Sequence, residues 1–293
     1  MADALVFGGS NGLVSKLADG LADILGVRVR YQHSSAEVEE PGVAISTNAE
    51  AFVAGPLLVF ADDEKPKHGL TDSNRARALG RLAEEVARGR AVAVLSSRAE
   101  ARRWLDLVAD AGLPSERPLR RMNICGESGT GKTTLARTLS GGLGMPMVSV
   151  DDVYWEEHPE LEPGEAARGG LIEDVLAREV WLAEGGYWRT AFRLSQVADC
   201  TVYLEYPQAR VDSQKAMRNA PHDRPYSWRE KLAVSTARMI YPKANERRIH
   251  AKLSGIAHLA PVLDVRNEAE LEAITVGLIR GAASRSVGAG NAG

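Results

Sequence analysis

The sequence has few cysteines, little net charge and no long apolar run. Of 293 residues only two are cysteine, and both Cys125 and Cys200 fall in predicted buried strands, so we expect reduced core thiols. Lysine and arginine total 36 against 39 acids, a net charge of −3 that gives no indication of nucleic-acid or membrane binding. No apolar run approaches the roughly 18 residues that a membrane span needs. The first residues lack the basic segment of a secretory signal, and we expect a cytoplasmic protein.

The length is sufficient for two domains, each with its own hydrophobic core. Residues 1–113 alternate strand and helix patterns, which predicts a Rossmann-like α/β domain with a parallel sheet covered on both faces. Predicted strands are Ala4–Gly8, Val27–Tyr31, Val43–Ser46, Pro56–Ala61 and Ala91–Ser96, and predicted helices include Asp72–Ala87 and Ala99–Ala111. Residues 114–118, PSERP, interrupt the pattern and are predicted to be a linker. Residues 284–293 are small and polar, and are predicted to be a disordered tail.

A phosphate-binding loop motif lies near the middle of the chain. Residues 126–133, GESGTGKT, fill every position of G-x-x-x-x-G-K-[ST], with an apolar strand before them and a helical pattern after them. The glycines of such a loop let backbone N–H groups turn toward one point, where the helix N-terminus adds a positive dipole. We expect Lys132 to reach the outer phosphates of ATP and the Thr133 hydroxyl to hold Mg²⁺. The predicted nucleotide-binding residues are Gly126, Ser128, Gly129, Thr130, Gly131, Lys132, Thr133 and Thr134.

Residues 119–283 show five strand patterns separated by helices, with the phosphate loop after the first strand. Predicted strands are Asn123–Cys125, Met147–Asp151, Trp181–Glu184, Cys200–Tyr206 and Val262–Val265, and predicted helices include Lys132–Leu143 and Glu268–Ile279. This is a P-loop mononucleotide-kinase layout. The predicted fold class is therefore α/β, with two doubly wound parallel-sheet domains.

A shift of 118 positions aligns the start of the chain with the phosphate loop. It places residues 8–26 on residues 126–144, with seven identities in nineteen positions. Both stretches are rich in glycine, leucine and alanine, so a degenerate copy and a compositional coincidence both remain open. In this register Leu13 and Val14 stand at the positions of Gly131 and Lys132. A copy would therefore have lost the close-approach glycine and the cation.

Phosphoryl transfer also needs a site for the acceptor hydroxyl. Asp151 and Asp152 end the second predicted strand, at the edge where open α/β sheets bind ligands. One of them would take the acceptor proton while the other supports Mg²⁺ through water, the alternative being an ordinary helix or turn cap. The predicted metal ligands are Thr133, Asp151 and Glu184.

Two further segments carry candidate cations and close-approach glycines. Glu184 ends the third predicted strand and is followed by Gly185 and Gly186, which allow a ligand close to the backbone. Residues 208–252 carry eleven basic side chains against four acidic ones, and a proline-containing loop within them suits a lid that closes arginines over the triphosphate. Arg189 is placed to contact phosphate, unless this segment is a plain strand-to-helix turn. The predicted catalytic residues are Lys132, Asp151, Asp152, Arg189, Arg218 and Arg224.

The same motifs carry a resemblance to a known family. The phosphate loop with the following VSVDDVYW, the segment WLAEGGYWRT and the strand VYLEYP resemble the adenylate-kinase-like P-loop group known as DNA topology modulation proteins. The resemblance covers about residues 121–271 and implies a small-molecule or nucleotide kinase fold. The positions matching the family's motifs are Asp151, Tyr154, Trp155, Gly185, Tyr187 and Arg189. Two positions depart from its pattern, with Glu184 in place of an aspartate and Gly186 in place of an asparagine.

The charge between the second and third predicted strands bears on the acceptor. Residues 151–179 contain ten acids against two arginines, so a phosphate-bearing acceptor would meet like charge there. Tyr154, Trp155 and Trp188 offer flat faces to a ring or a cation, and we expect a neutral or cationic metabolite. The predicted substrate-binding residues are Asp151, Tyr154, Trp155, Arg168, Gly185, Gly186 and Tyr187. If Arg168 alone serves a phosphate, the protein is a nucleoside monophosphate kinase instead; a further alternative is a nucleotide-gated regulatory or scaffolding protein.

Overall fold

The structure is a computed structural model, and it describes most of the chain in fourteen segments. These are residues 4–8, 12–25, 29–32, 43–46, 57–61, 71–95, 97–112, 116–150, 172–186, 188–207, 210–211, 252–253, 255–257 and 259–290. Within them the chain forms two five-stranded β-sheets whose neighbouring strands run parallel. This confirms the α/β class with parallel sheets.

The first sheet is formed by the first third of the chain. Its strands are β1 (Ala4–Gly8), β2 (Val29–Gln32), β3 (Val43–Ser46), β4 (Leu57–Ala61) and β5 (Ala91–Leu95), and its helices are α1 (Gly12–Leu25), α2 (Asp72–Arg88) and α3 (Arg98–Ala111). The strand order is β2-β3-β1-β4-β5. One face packs on α1 and α3 through residues such as Val59 and Trp104. The other face meets α2, so β5 is buried along its whole length and consists of apolar residues without alternation.

The second sheet carries the phosphate loop. Its strands are β6 (Arg121–Gly126), β7 (Met147–Ser149), β8 (Trp181–Gly185), β9 (Cys200–Leu204) and β10 (Val262–Val265), and its helices include α4 (Lys132–Leu143), α5 (Trp188–Ser195) and α6 (Glu268–Gly290). The strand order is β10-β9-β6-β8-β7, with all neighbours parallel. Counted along the chain, both sheets place their strands in the order second, third, first, fourth, fifth. No helix among the described residues is long and apolar enough to cross a membrane.

One hydrophobic core joins the two sheets. It contains Phe60 of β4 and Leu82 of α2 together with Ile124 of β6 and Leu278 of α6. The sequence predicted a core of its own for each of residues 1–113 and 119–283; each sheet does have buried clusters of its own, and this shared core lies between them. The reason is that α2 turns one apolar face to its own sheet and also lies against α6 of the other sheet.

Helices α2 and α6 pack so closely that their backbones are in contact. A Cβ built on Gly277 would lie 2.0 Å from the carbonyl oxygen of Gly80, and one built on Gly281 would lie 2.1 Å from that of Glu84. Any side chain at Gly277 or Gly281 would therefore displace backbone atoms of α2. Glycine weakens an isolated helix, but here it permits the close packing of the two helices.

The predicted disordered tail was wrong for residues 284–290. Helix α6 runs from Glu268 to Gly290, eleven residues beyond the predicted end at Ile279. The prediction relied on small and polar composition, whereas Gly281 packs against α2 and supports the helix beyond Ile279. Helices in folded proteins are stabilised mainly by packing of this kind rather than by intrinsic propensity.

The predicted linker is bound at its end to both halves of the chain. The backbone N–H of Arg117 donates to the carbonyl oxygen of Gly89 at 2.7 Å, and the Arg117 guanidinium lies 3.3 Å from the Asp199 carboxylate. The other oxygen of Asp199 accepts from the backbone N–H groups of Arg120 and Arg121, each at 2.9 Å. The connection from α3 to β6 is thereby attached to the start of β9.

Candidate phosphate-binding site

The loop between β6 and α4 depends on three glycines with positive φ. Gly126, Gly129 and Gly131 have φ of 146°, 89° and 88°, a region that side-chain-bearing residues rarely adopt. A Cβ on Gly126 would also lie 2.5 Å from the carbonyl oxygen of Leu204 at the end of β9. The motif glycines therefore shape the loop, and Gly126 in addition lets β9 approach it.

The loop is closed by hydrogen bonds to one carbonyl oxygen. The oxygen of Glu127 accepts from the Lys132 ammonium at 2.8 Å, and from the hydroxyl and the backbone N–H of Thr130 at 2.8 Å and 3.3 Å. Lys132 and Thr130 are both buried. The ammonium thus lies against the loop, where phosphate oxygens could take the place of the carbonyl as its acceptor.

The first backbone N–H groups of helix α4 receive no hydrogen bond acceptor from an N-cap side chain. Its N-cap, Gly131, has no side chain, and its first turn contains no acid. The first backbone N–H groups of a helix have no intrahelical partner, and they attract anions together with the helix dipole. Ser128 and Thr134 are exposed beside this position. The arrangement suits a phosphate group.

A buried carboxylate lies beside the loop threonine. Glu184, at the carboxyl end of β8, is 2% exposed, and its Oε1 accepts from the hydroxyls of Thr133 at 3.3 Å and Ser149 at 2.8 Å. Carboxylate and hydroxyl oxygens are the donor type that Mg²⁺ prefers. The structure thus brings together Thr133 and Glu184, two of the three predicted metal ligands.

Sequence reasoning missed Ser149. It is the last residue of β7 and lies directly opposite Glu184 in the sheet. A serine in a strand carries no motif, so only the pairing of β7 with β8 identifies it. Among the described residues no three His, Cys, Asp or Glu side chains cluster in a way that could hold a metal ion.

The remaining predicted site residues fall largely outside the described segments. Gly185 and Gly186 are half-buried at the carboxyl end of β8, next to β6. Arg189 lies in the first turn of α5, and its side chain is outside the described part. The residues outside the described segments are Asp151, Asp152, Tyr154, Trp155, Arg168, Tyr187, Arg218 and Arg224.

We expect both cysteines to be inert toward thiol reagents in the folded protein. Cys125 is fully buried at the end of β6, and burial raises its pKa to about 12, although the nearby Lys132 acts in the opposite direction. Burial likewise raises the pKa of Cys200. Because the thiolate is the reacting form, a disulfide reagent at pH 8 should release no chromophore until denaturant is added, and then two equivalents. Rapid release of one equivalent from native protein would contradict the burial of Cys125.

Comparison with known proteins gives structural matches only. No protein-family model matches the chain, and no curated protein matches it. Among solved structures, shikimate kinase from Aquifex aeolicus is 16% identical, with 57% of this chain and 99% of that chain covered and a TM-score of 0.36. Shikimate kinase from Acinetobacter baumannii in complex with shikimate is 18% identical, covering 53% and 89% of the two chains at a TM-score of 0.35. A sugar kinase from Janibacter sp. is 14% identical, and the match covers 58% of this chain and 98% of that chain at a TM-score of 0.33.

Identities and TM-scores this low identify no family, no substrate and no reaction for this chain. The resemblance to the DNA topology modulation group is not confirmed by them.

Proposed function

We propose that the chain is an ATP-dependent phosphotransferase that moves the γ-phosphoryl group to a hydroxyl of a small metabolite. The observation that carries the proposal is the position of the buried Glu184 carboxylate against the Thr133 hydroxyl, beside a phosphate loop formed by three positive-φ glycines. A loop that bound anions alone would need no buried carboxylate at this point. A carboxylate beside the loop threonine suits a nucleotide that arrives with a divalent cation.

In this proposal each described group has one task. The loop N–H groups and Lys132 would hold the phosphates, Thr133 and Glu184 would hold Mg²⁺, and Ser149 would orient the Glu184 carboxylate through its hydrogen bond. The metal would neutralise charge on the transferring group. The backbone and Lys132 supply positive potential that is already in position before the reaction, which is the main protein contribution to phosphoryl transfer.

The regulatory alternative requires that nucleotide binding changes how the two sheets pack. The contact of Gly277 with the Gly80 carbonyl and the core shared between the sheets oppose such a change, because repacking would separate buried apolar surfaces. This favours the enzyme over the nucleotide-gated protein.

The acceptor is proposed from charge, with Asp151 or Asp152 as its base. The acidic segment of residues 151–179 favours a neutral or cationic metabolite. In the alternative, a nucleoside monophosphate, Arg168 would have to bind the phosphate of the acceptor. Initial rates with sugars, amino alcohols and matched pairs of nucleosides and nucleoside monophosphates distinguish these. Consistently faster rates with monophosphates, abolished by Arg168→Ala, would establish the monophosphate kinase instead.

We further propose that the first sheet is a degenerate copy of the second. The shift of 118 residues that aligns the sequences also superimposes element positions: β1 falls within β6, α1 and α4 end together, and β2 begins where β7 does. Both sheets have the same strand order. Leu13 and Val14, at the positions of Gly131 and Lys132, are buried in the first sheet's own core. Calorimetric titration should give one ATP per chain, and two would contradict a degenerate copy.

The metal arrangement is tested by Glu184→Gln. We expect the Mg²⁺ concentration for half-maximal turnover to rise about 10–100-fold, because an amide oxygen replaces a charged ligand. The matched control is Glu179→Gln, the same change at an exposed residue near the opposite end of β8, which should leave the Mg²⁺ requirement unchanged. An unchanged Mg²⁺ requirement in Glu184→Gln would remove the carboxylate from the proposed site.

A further inference from the structure

An arginine of the first sheet's helix reaches into the second sheet. Arg75 of α2 is buried, and its guanidinium lies 2.5 Å from the carboxylate of Glu270, which is 1% exposed. Its Nη2 also donates to the backbone carbonyl of Asp264 in β10 at 3.1 Å. Removal of one partner of a buried ion pair strongly destabilises the folded protein, because the other charge stays buried without a counter-charge. Arg75 therefore binds both the end of β10 and the start of α6.

Glu270 in turn holds the turn between β10 and α6. Its carboxylate accepts from the backbone N–H of Arg266 at 2.7 Å and from the amide of Asn267 at 3.0 Å. The side-chain oxygen of Asn267 accepts from the Glu270 N–H at 3.0 Å. These bonds resemble a capping box: they satisfy the N–H of Glu270 in the first turn of α6 and the N–H of Arg266 before the helix, and they fix the turn by which the chain leaves β10.

The turn is connected to the phosphate loop along the sheet edge. The carbonyl oxygen of Val265, the last residue of β10, accepts from the N–H of Glu205 at 2.8 Å. Glu205 follows Leu204, whose own carbonyl oxygen lies against Gly126 of the loop. These residues are at the carboxyl ends of the strands, the edge at which parallel α/β sheets bind ligands. The contacts from Arg75 to Gly126 are thus continuous.

We propose that Arg75 is a positioning residue for the nucleotide site. A residue from the first half of the chain would then set the geometry of a site whose described binding groups lie in the second half of the chain. This rests on the proposed function, because the site that it positions is the proposed ATP site. Arg75 acts through Glu270 and the carbonyl of Asp264 on the turn, and through the turn on the end of β9 and the loop. Its removal leaves Glu270 without the cation that holds it in place.

The test measures the dissociation constant of Mg·ATP by calorimetry in the full chain. Arg75→Met should raise it about tenfold, a typical size for coupling through packed contacts. Glu270→Gln should raise it similarly, and the double variant should bind no more weakly than the weaker single one, since both changes interrupt one path. Arg75→Lys keeps the charge, and we expect it to raise the dissociation constant of Mg·ATP about threefold. This variant replaces Arg75→Met in the test if Arg75→Met does not fold. The matched control is Arg81→Met, a partly exposed arginine of α2 that pairs with Glu84 and Glu85.

Three results would overturn the inference, and they differ in meaning. If Arg75→Met lowers the melting temperature but binds Mg·ATP as the wild type does, the role of Arg75 is structural and the proposed function stands. Additive losses in the double variant would likewise exclude action through Glu270. If the wild-type chain binds no Mg·ATP, the proposed function is wrong and the inference falls with it.

Discussion

Lys132→Met should lower kcat about 10³-fold while leaving the melting temperature within a few degrees of the wild type. Its ammonium is the positive side chain that lies against the loop, and removal of one such stabilising donor costs about 10²–10³-fold or more in turnover. The loop itself should persist, because its shape rests on the φ angles of three glycines and on the Thr130 bonds to Glu127. The measurement is ATP turnover with the best acceptor found in the screen, together with a thermal melt.

The matched control for this change is Lys16→Met, in the exposed part of α1 of the first sheet. Its turnover should equal that of the wild type, since Lys16 lies in a helix that packs on the first sheet, where we propose that no nucleotide binds. Near-normal turnover in Lys132→Met would end the assignment of the loop as the phosphate site. Equal losses of turnover in both variants would show instead that turnover depends on the net charge of the protein and not on the position of Lys132.

Gly277→Ala should destabilise the protein by about 3 kcal/mol or more, the upper end of what overpacking costs. The added methyl would lie 2.0 Å from a backbone carbonyl oxygen of α2, which cannot rotate away as a side chain could. Helices α2 and α6 would have to separate, and with them parts of the shared core. Urea denaturation, compared at an unchanged m-value, measures the difference in the free energy of unfolding.

The same substitution at Gly141 is the control. Gly141 lies in α4 with open space around the position of a Cβ, so alanine there should stabilise by about 0.5–1 kcal/mol through helix propensity. Opposite signs for one chemical change in two helices would establish that contact between α2 and α6, and not helix propensity, governs Gly277. A loss below about 1 kcal/mol at Gly277 would contradict the close approach.

Local signals in the sequence predicted much of the second sheet. Helix α4 begins and ends at the predicted residues because a glycine stands on each side of it, at Gly131 and Gly144, and β10 matches its predicted bounds as a short apolar run. β7 is shorter than predicted and ends at Ser149. The motif alone was enough to name Thr133 and Lys132. Each of these signals lies within a few residues of the element that it defines.

Features that depend on distant parts of the chain were not predictable. The hydrogen bond of Ser149 to Glu184 needs the order of the strands, and the contact of Gly80 with Gly277 needs the packing of two helices about 200 residues apart in the sequence. Glycine within a helix weakens a sequence-based prediction unless its partner is known. The ion pair of Arg75 with Glu270 belongs to the same class, since neither residue lies in a motif.

The contact between α2 and α6 has a consequence for biosynthesis. At about 5–20 residues per second, roughly 10–40 s separate the synthesis of Gly80 from that of Gly277. During this interval the nascent chain has α2 but lacks the helix that covers it, so its apolar side is open to chaperones or to other nascent chains. Premature termination before α6 would leave that surface exposed permanently. A ribosome-released fragment ending near residue 260 should therefore be degraded or aggregate, even though every strand of the first sheet is present.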